Sequence, residues 1–574
     1  MISENFFGHM AARARERGME VEFEAAFGNS IPGDIMKYYK YADTPMCEFW
    51  QPAVSFNFTP VKPIISAAHL YGRRSVGAEA FTAFRVTWDE TLRDFKHNAN
   101  MNLAEGISHF VFHTFTHNPQ SPWLPPGTSF GGRNIGSPFV RGQSWWRHMT
   151  AFTDYFARCQ TMLESGVPVA DVLWYLGDEC DGRPDHYAPF PAGCKYDYCN
   201  PDAFLTRIVA QDGKWRTSDG TEFAVLWIPE SSRMLPETME HLLAGIWKGA
   251  TAAIASLPVA PATRKDGEQG EARFRRARNA LVALAAQTDC MVSDGRTGRL
   301  YVGKPLEAVL SAEKIVPDVR GTGCVWNHRR SEEADWYFLA PATAGKGFDG
   351  MMTFRAEGMP EIWHPENGTK ERASILSASR RETTISLSLA PAQSCFVVFR
   401  RNAEELPAQP DSGRTLRIEL TQPWRVRFPE GWGMPVETVC DTLRPWKEIG
   451  TTDEARAFSG TAEYCSGFTL DNLQAGVPVA LDLGRVESIA KVEVNSVAVG
   501  TVWSYPYRLE ITHAVKPGLN QVKIEVTGTW FNRLAYDAGL PENKRRTWTF
   551  RRPDKNAPLR DSGLLGPVSV QVGR

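Results

Sequence analysis

The amino-acid sequence predicts a multidomain chain, α/β at its start and all-β at its end: part of a (β/α)8 TIM-like barrel, a small α/β domain and C-terminal β-sandwiches. Three observations predict it. At 574 residues the chain exceeds what a single hydrophobic core organises. Its first 190 or so residues alternate short apolar runs with helical stretches, the pattern of βα units around a parallel sheet. From about residue 316 helical periodicity nearly vanishes, and strand-like runs alternate with Gly, Pro and Asn turns.

The elements follow in order. Strands are expected at 19–26, 45–50, 75–82, 107–116 and 169–176. Before the last of these, Trp145, Met149, Phe152, Phe156, Cys159 and Leu163 recur at steps of three and four, one apolar stripe on a long helix that stops near Gly166. Five strands cannot close a barrel of eight, so residues 1–194 are expected to form the C-terminal part of one. Residues 195–315 read as the small α/β domain, with helices at 200–210 and 236–248, strands at 223–228 and 252–256, and a polar, charged stretch at 265–279. Residues 316–408 read as a β-sandwich and, after a break at 407–413, residues 409–574 as a second, with strands at 479–483, 489–494, 507–511 and 521–526.

Composition excludes several functions. A net charge of −2, with Lys and Arg spread along the chain, leaves no footprint for nucleic acid or an anionic membrane surface. No apolar run of about eighteen residues is present to span a bilayer. The first eighteen residues carry both charge signs and lack the apolar centre of a secretory signal. Ten cysteines are scattered, with Cys180, Cys194 and Cys199 the tightest group and no CxxC spacing, which argues against zinc. No GxSxG elbow and no phosphate-binding glycine loop appears. Eighteen Trp suit the apolar faces of sugars, although any single Trp is more often core.

Chemistry gathers at the strand ends, which carry Glu24, Glu48, Glu79, His113 with His117, and Asp178 with Glu179. In a (β/α)8 barrel such ends converge on one mouth. Glycoside hydrolysis needs two carboxyl groups, one protonated and one ionised. Glu48 stands among Met46, Cys47, Phe49 and Trp50, neighbours that raise a carboxyl pKa as a general acid requires, while the alternative is a buried Glu tied in an ion pair. Glu79 has small neighbours that admit a ligand, or it supports another side chain. Of Asp178 and Glu179, one faces the mouth if the extended conformation continues. The alternatives are a solvated acidic loop or, with Asp181, a set of hard oxygen ligands of the kind calcium takes. His113 and His117, on one face of an extended segment together with Phe115, suit hydrogen bonding to sugar hydroxyls or a satisfied polar cluster.

The runs ADTPMCEFW, SAAHLYGRRSVGAEAFT and AEGISHFVFHTFTHNP, the helix with ARCQ and the strand VADVLWYLGDE, taken in that order, resemble glycoside hydrolase family 106, the α-L-rhamnosidases. Near the C-terminus, LDLGRVESIAKVEVNSVAVGTVWSYPYRLEIT, VTGTWFNRLAYD and SGLLGPV are similar to the galactose-binding-like jelly roll of that family and of β-galactosidase-type enzymes. The resemblance implies inverting hydrolysis of terminal α-L-rhamnosides, a rhamnose-containing glycan or glycoside as substrate, a calcium ion at the site, and often a periplasmic or secreted location. It carries over Glu48 and Glu179 as the catalytic pair, with Glu79, His113, His117, Trp50 and Asp178 lining the sugar pocket. The family's early barrel strands have no counterpart before Met1. Cys47 stands where Gly is expected, and the loop after Asp178 is richer in Cys and acidic residues, so specificity can differ. Three alternatives remain open: an exo-glycosidase of other specificity, such as β-galactosidase-like; a carbohydrate-binding protein without activity; and a fragment that needs its upstream half. Oligomeric state is not legible.

Overall fold

The computed structural model describes residues 2–24, 33–52, 61–84, 86–118, 124–128, 135–179, 190–263, 266–286, 290–291, 297–401, 416–471, 473–474 and 476–573. Strands β1 (Glu22–Glu24), β2 (Thr44–Trp50), β3 (Gly77–Thr82) and β4 (His109–Phe112) pair in parallel, in that order. Parallel neighbours need crossover connections. These run through the helices α2 (Ile35–Tyr39), α3 (Val61–Leu70) and α4 (Leu92–Glu105), numbered after an N-terminal α1 (His9–Arg15), and α5 (Met149–Leu163) follows β4.

Strand periodicity gives this sheet two unlike faces. One carries Phe23, Cys47, Phe49, Ala78 and Ala80, which share a core with Ile64 and Ile65 of α3, Phe95, Ala99 and Leu103 of α4, and Phe152 and Phe156 of α5. The small Cys47, Ala78 and Ala80 let the helices lie close. Register puts Glu24 opposite Met46, Glu48 opposite Glu79 and Glu79 opposite Val111, so three carboxylates share the other face. Helix α4 begins with a capping box between Thr91 and Asp94 and ends at Gly106, whose φ of 127° suits glycine.

The segment 169–176, expected to be the fifth strand of this sheet, lies elsewhere. After α5 the chain leaves through β5 (Val167–Pro168), which pairs antiparallel with Arg329 and Arg330 of a later sheet. Strand β6 (Val172–Tyr175) then enters a six-stranded sheet between β7 (Tyr196–Cys199) and Val225–Ile228, followed by Thr251–Ile254, Thr297–Val302 and Cys290–Met291. The physical reason is burial: all four residues of β6 are buried, as suits an inner strand covered on both faces, whereas the first sheet keeps one polar face. The α/β unit expected over 195–315 therefore recruits a strand from before residue 194.

Two pairs of antiparallel sheets follow. In the first, four strands (Val319–Arg320, Phe348–Phe354, Thr383–Leu389, Ser374–Ala378) share a core of Leu339, Phe354, Ile385 and Val397 with a sheet containing Ala334–Pro341 and Cys395–Arg400. In the second, Leu416–Glu419, Ser569–Val572, Val479–Asp482 and Arg508–Glu510 share a core of Leu481, Val570, Ile524 and Val426 with a six-stranded sheet containing Thr461–Leu470 and Gly518–Thr527. The architecture is thus multidomain, mixed α/β with several antiparallel sheets. No helix among the described residues is long and apolar enough to cross a membrane. Eight of the cysteines, Cys47 and Cys159 among them, carry free thiols.

One buried ion pair ties three of these units together. The ammonium of Lys96 on α4 lies 2.6 Å from Glu366, in the first antiparallel pair, and donates to Ser504 of the second at 3.1 Å. Lys96 is fully buried and also lies over the rings of Tyr155 and Trp503. Replacing Lys96 by Met leaves the Glu366 carboxylate without its cation, so unfolding free energy is expected to fall by about 3 kcal/mol. Adding Glu366→Gln should recover part of the loss in a denaturant titration. Equal stabilities of the single variant and the parent would show that the pair is not holding the units.

Candidate active site

The polar face of the first sheet assembles the strongest chemical group among the described residues. Glu48 sits within the apolar run of β2 and is 4% exposed. Its carboxyl is pushed up to about 7 by burial and by the neighbouring Glu79, against the opposing effect of the nearby Trp50 indole. Burial, then Glu79 and Glu48, push Glu24 up to about 8. One oxygen of each, Oε1, is buried without a hydrogen-bond partner among the described residues. At neutral pH Glu24 therefore stays largely protonated and Glu48 is close to half protonated, so each can donate to an incoming oxygen.

Glu79 has a different environment. The Thr82 hydroxyl donates to its Oε1, and His113 Nδ1 stands 3.7 Å from the same oxygen and 3.3 Å from Thr82 Oγ1. Thr82 reaches this face because pairing between β2 and β3 slips by one residue after Phe49 and Ala80. The extra residue, Phe81, takes a φ of 67° and stays in the core against Phe49, Phe95 and Phe139, and Thr82 is turned over to the carboxylates. A positive φ is costly for a bulky residue, so the surrounding packing must hold it. Gly136 closes over His113: a Cβ there would lie 2.7 Å from Nδ1, and its φ of 81° also favours glycine.

The structure thus brings together Glu48, Glu79, His113 and Trp50, whose ring leans on Phe84 at 4.1 Å. It does not bring His117, which is exposed in the loop beyond Phe112 because the strand stops short of it. Asp178 and Glu179 also lie apart, at the end of β6 in the second sheet. Asp178 Oδ1 accepts from Tyr175 and Thr238, each at 2.6 Å, and Oδ2 from the Leu235 backbone N–H at 2.8 Å, so it ties the end of β6 to the start of helix α7 (Pro236–Trp247), which follows α6 (Pro201–Arg207). Glu179 is half exposed and pairs with Arg233 at 3.1 Å.

These engagements leave calcium a poor fit around Asp178, and Asp181 lies outside the described residues. Among the described residues no group of three or more His, Cys, Asp or Glu side chains forms a metal-binding cluster. Glu24 stood in the series of strand-end acids, and the alternation in Glu22–Phe23–Glu24 marks it as facing away from the core. Thr82 had no such signal, because its orientation depends on the irregular residue before it.

Comparison with known proteins follows the same lines. The family model of glycoside hydrolase family 106, described as alpha-L-rhamnosidase, matches residues 1–376. A putative beta-glucuronidase of Formosa agariphila is 31% identical over 412 residues, covering 71% of this chain and 33% of that protein. The solved structure of a rhamnosidase from Novosphingobium sp. PP1Y superposes with a TM-score of 0.89 at 30% identity, covering 100% of this chain and 55% of that one. The chain therefore spans a third of the length of the first relative and about half of the second.

The buried acids make stability depend on pH with a definite sign. Glu24 and Glu48 have folded values above their unfolded value of 4.5, so between that pH and 7 to 8 the unfolded chain releases protons that the native state keeps. Stability is expected to fall as pH rises through this window, and Glu24→Gln should flatten the fall. Melting midpoints of parent and variant measured at pH 5 and pH 8 check it; an identical drop in both would remove Glu24 from the account.

Proposed function

The chain belongs to glycoside hydrolase family 106, the family of the α-L-rhamnosidases, and on that premise we propose that it hydrolyses terminal α-L-rhamnosides with carboxyl groups of its first sheet. The observation that carries the proposal is Glu48, buried, register-paired with Glu79 and with its carboxyl pushed up to about 7. Glu48 acts as general acid and gives its proton to the glycosidic oxygen as the bond to the leaving group breaks. Glu79, held by the Thr82 hydroxyl and faced by His113, is the partner carboxyl that takes a proton from the attacking water. Glu24 donates a hydrogen bond to a sugar hydroxyl. This replaces Glu179, whose ion pair with Arg233 occupies it in another sheet, as the second carboxyl.

In this reading the four parallel strands with helices on one face are the C-terminal part of a (β/α)8 barrel, and the last sheet pair is a galactose-binding-like jelly roll. Inversion is the stereochemical outcome that family membership favours. It requires carboxyls about 6.5–9.5 Å apart to admit a water. The barrel part is best ended near residue 166, before β5 pairs with the first antiparallel unit. Calcium has no step in this scheme, and the chain's own side chains move every proton.

The second reading is a carbohydrate-binding protein without turnover, motivated by the two antiparallel sheet pairs that follow the first sheet. Release of nitrophenol from an aryl α-L-rhamnoside by the intact chain separates the two. On the hydrolase reading Glu48→Gln and Glu79→Gln each lower kcat/KM by about 10²–10⁴-fold, and the limb of the pH profile that falls near pH 7 disappears in Glu48→Gln. Glu179→Gln, which removes an exposed ion pair, should cost far less. Rhamnose binding with no turnover on any aryl glycoside would establish the second reading.

A further inference from the structure

Beyond the first-sheet site, a cleft of about 430 Å³ opens between residues 89–94, on the rim after β3, and the C-terminal antiparallel unit. That volume falls among small-molecule sites. Its walls are charged, and each of the three arginines meets an acidic partner. Arg560 meets Asp89 at 2.9 Å, Arg93 meets Glu487 at 3.0 Å, and Arg485 bridges Glu487 at 3.2 Å and Asp561 at 2.9 Å. Two of the guanidinium groups lie over aromatic rings, Arg560 over Phe531 at 4.7 Å and Arg93 over Tyr505 at 5.3 Å. The cleft is therefore a rigid array of donors and acceptors.

Glu90 differs from the rest. It lines the same cleft, its hydrogen-bond partner is Gln51, and the charges acting on it, Asp94 and Asp89, are both negative. Burial first, then these neighbours, push its carboxyl up to about 7. An anionic ligand would meet five acidic side chains against three arginines already engaged, and a cationic ligand would compete with those arginines. A neutral polyol suffers neither penalty, because each hydroxyl can accept from a guanidinium and donate to a carboxylate at once. Gln51 directly follows Trp50, whose indole is near Glu48, and donates to the Asp94 carbonyl at 3.4 Å, so the cleft adjoins the end of the strand that carries the proposed acid.

We propose that this cleft is a second carbohydrate-binding site, taking a neutral, hydroxyl-rich pyranose of the glycan presented to the first sheet. The choice of ligand class rests on the glycosidase reading, whereas the paired arginines and the volume belong to the cleft itself.

Saturation-transfer NMR on the full chain tests it without turnover, with methyl α-L-rhamnopyranoside as the neutral probe and D-glucuronate as the anionic one. Saturation of the neutral probe is expected to persist in Glu79→Trp, which crowds the first-sheet site, and to vanish when Thr529→Trp fills the cleft as well. Should Glu79→Trp fail to fold, Glu90→Gln in the parent background gives the second measure, expected to weaken binding by about tenfold through loss of a hydrogen bond to a buried acid. Unchanged saturation in Thr529→Trp and Glu90→Gln, or stronger binding of D-glucuronate than of the neutral probe, would overturn the proposal. Failure of the glycosidase reading looks different: no nitrophenol is released, while the cleft still binds the neutral sugar.

Discussion

Parallel pairing fixes Glu48 beside Glu79 on one sheet face, and the rest of the site depends on that constraint. Neighbouring strands are about 4.8 Å apart, so two carboxyls brought together in this way cannot both ionise without a large repulsive cost once one of them is buried. Burial and the neighbouring Glu79 push the carboxyl of Glu48 up to about 7, while Thr82 and His113 surround Glu79. A slip of one residue would send every carboxylate into the helices and Phe23, Cys47 and Phe49 into solvent. The apolar face therefore specifies the polar one: tight contact of Ala78, Ala80 and Cys47 with the helices holds the register that pairs the acids.

How much of this could be read in advance follows from the same periodicity. The alternation of core and polar residues in β2 and β3 was legible, and with it Glu48 and Glu79, because a strand with one polar face writes its orientation into the sequence. Strand β6 carries no such mark. Its four residues are buried on both sides, so nothing in Val172–Tyr175 says which sheet it joins, and chain order alone attached it to the wrong one. Asp178 and Glu179 went with it. Thr82 escaped for a related reason: it follows a residue in a conformation that its type seldom adopts, and pattern reading assumes regular strands. His117 was overreached by extending β4 beyond Phe112, where the alternation still looked sound.

The antiparallel units do more than follow the first sheet in sequence. Trp88, on the segment after β3, donates to the Arg551 carbonyl at 3.0 Å, and Trp530 of the C-terminal unit donates to the Gly142 carbonyl at 2.7 Å. With the Arg560–Asp89 pair, the Trp88 contact holds the rim segment that follows Glu79 against a body outside the sheet, and the Trp530 contact holds the stretch before α5 against the same body. Rim loops that project freely fluctuate, and a buried carboxyl keeps its surroundings in place only where the segments beside it are held. Here the loop is anchored at its middle by an indole and at its end by the capping box of α4, so the two ends of the polar face have different supports. Glu24 and Glu48 are positioned by strands and helices of their own unit. The segment that follows Glu79 is positioned by the C-terminal one, which makes that unit a structural part of the site's wall.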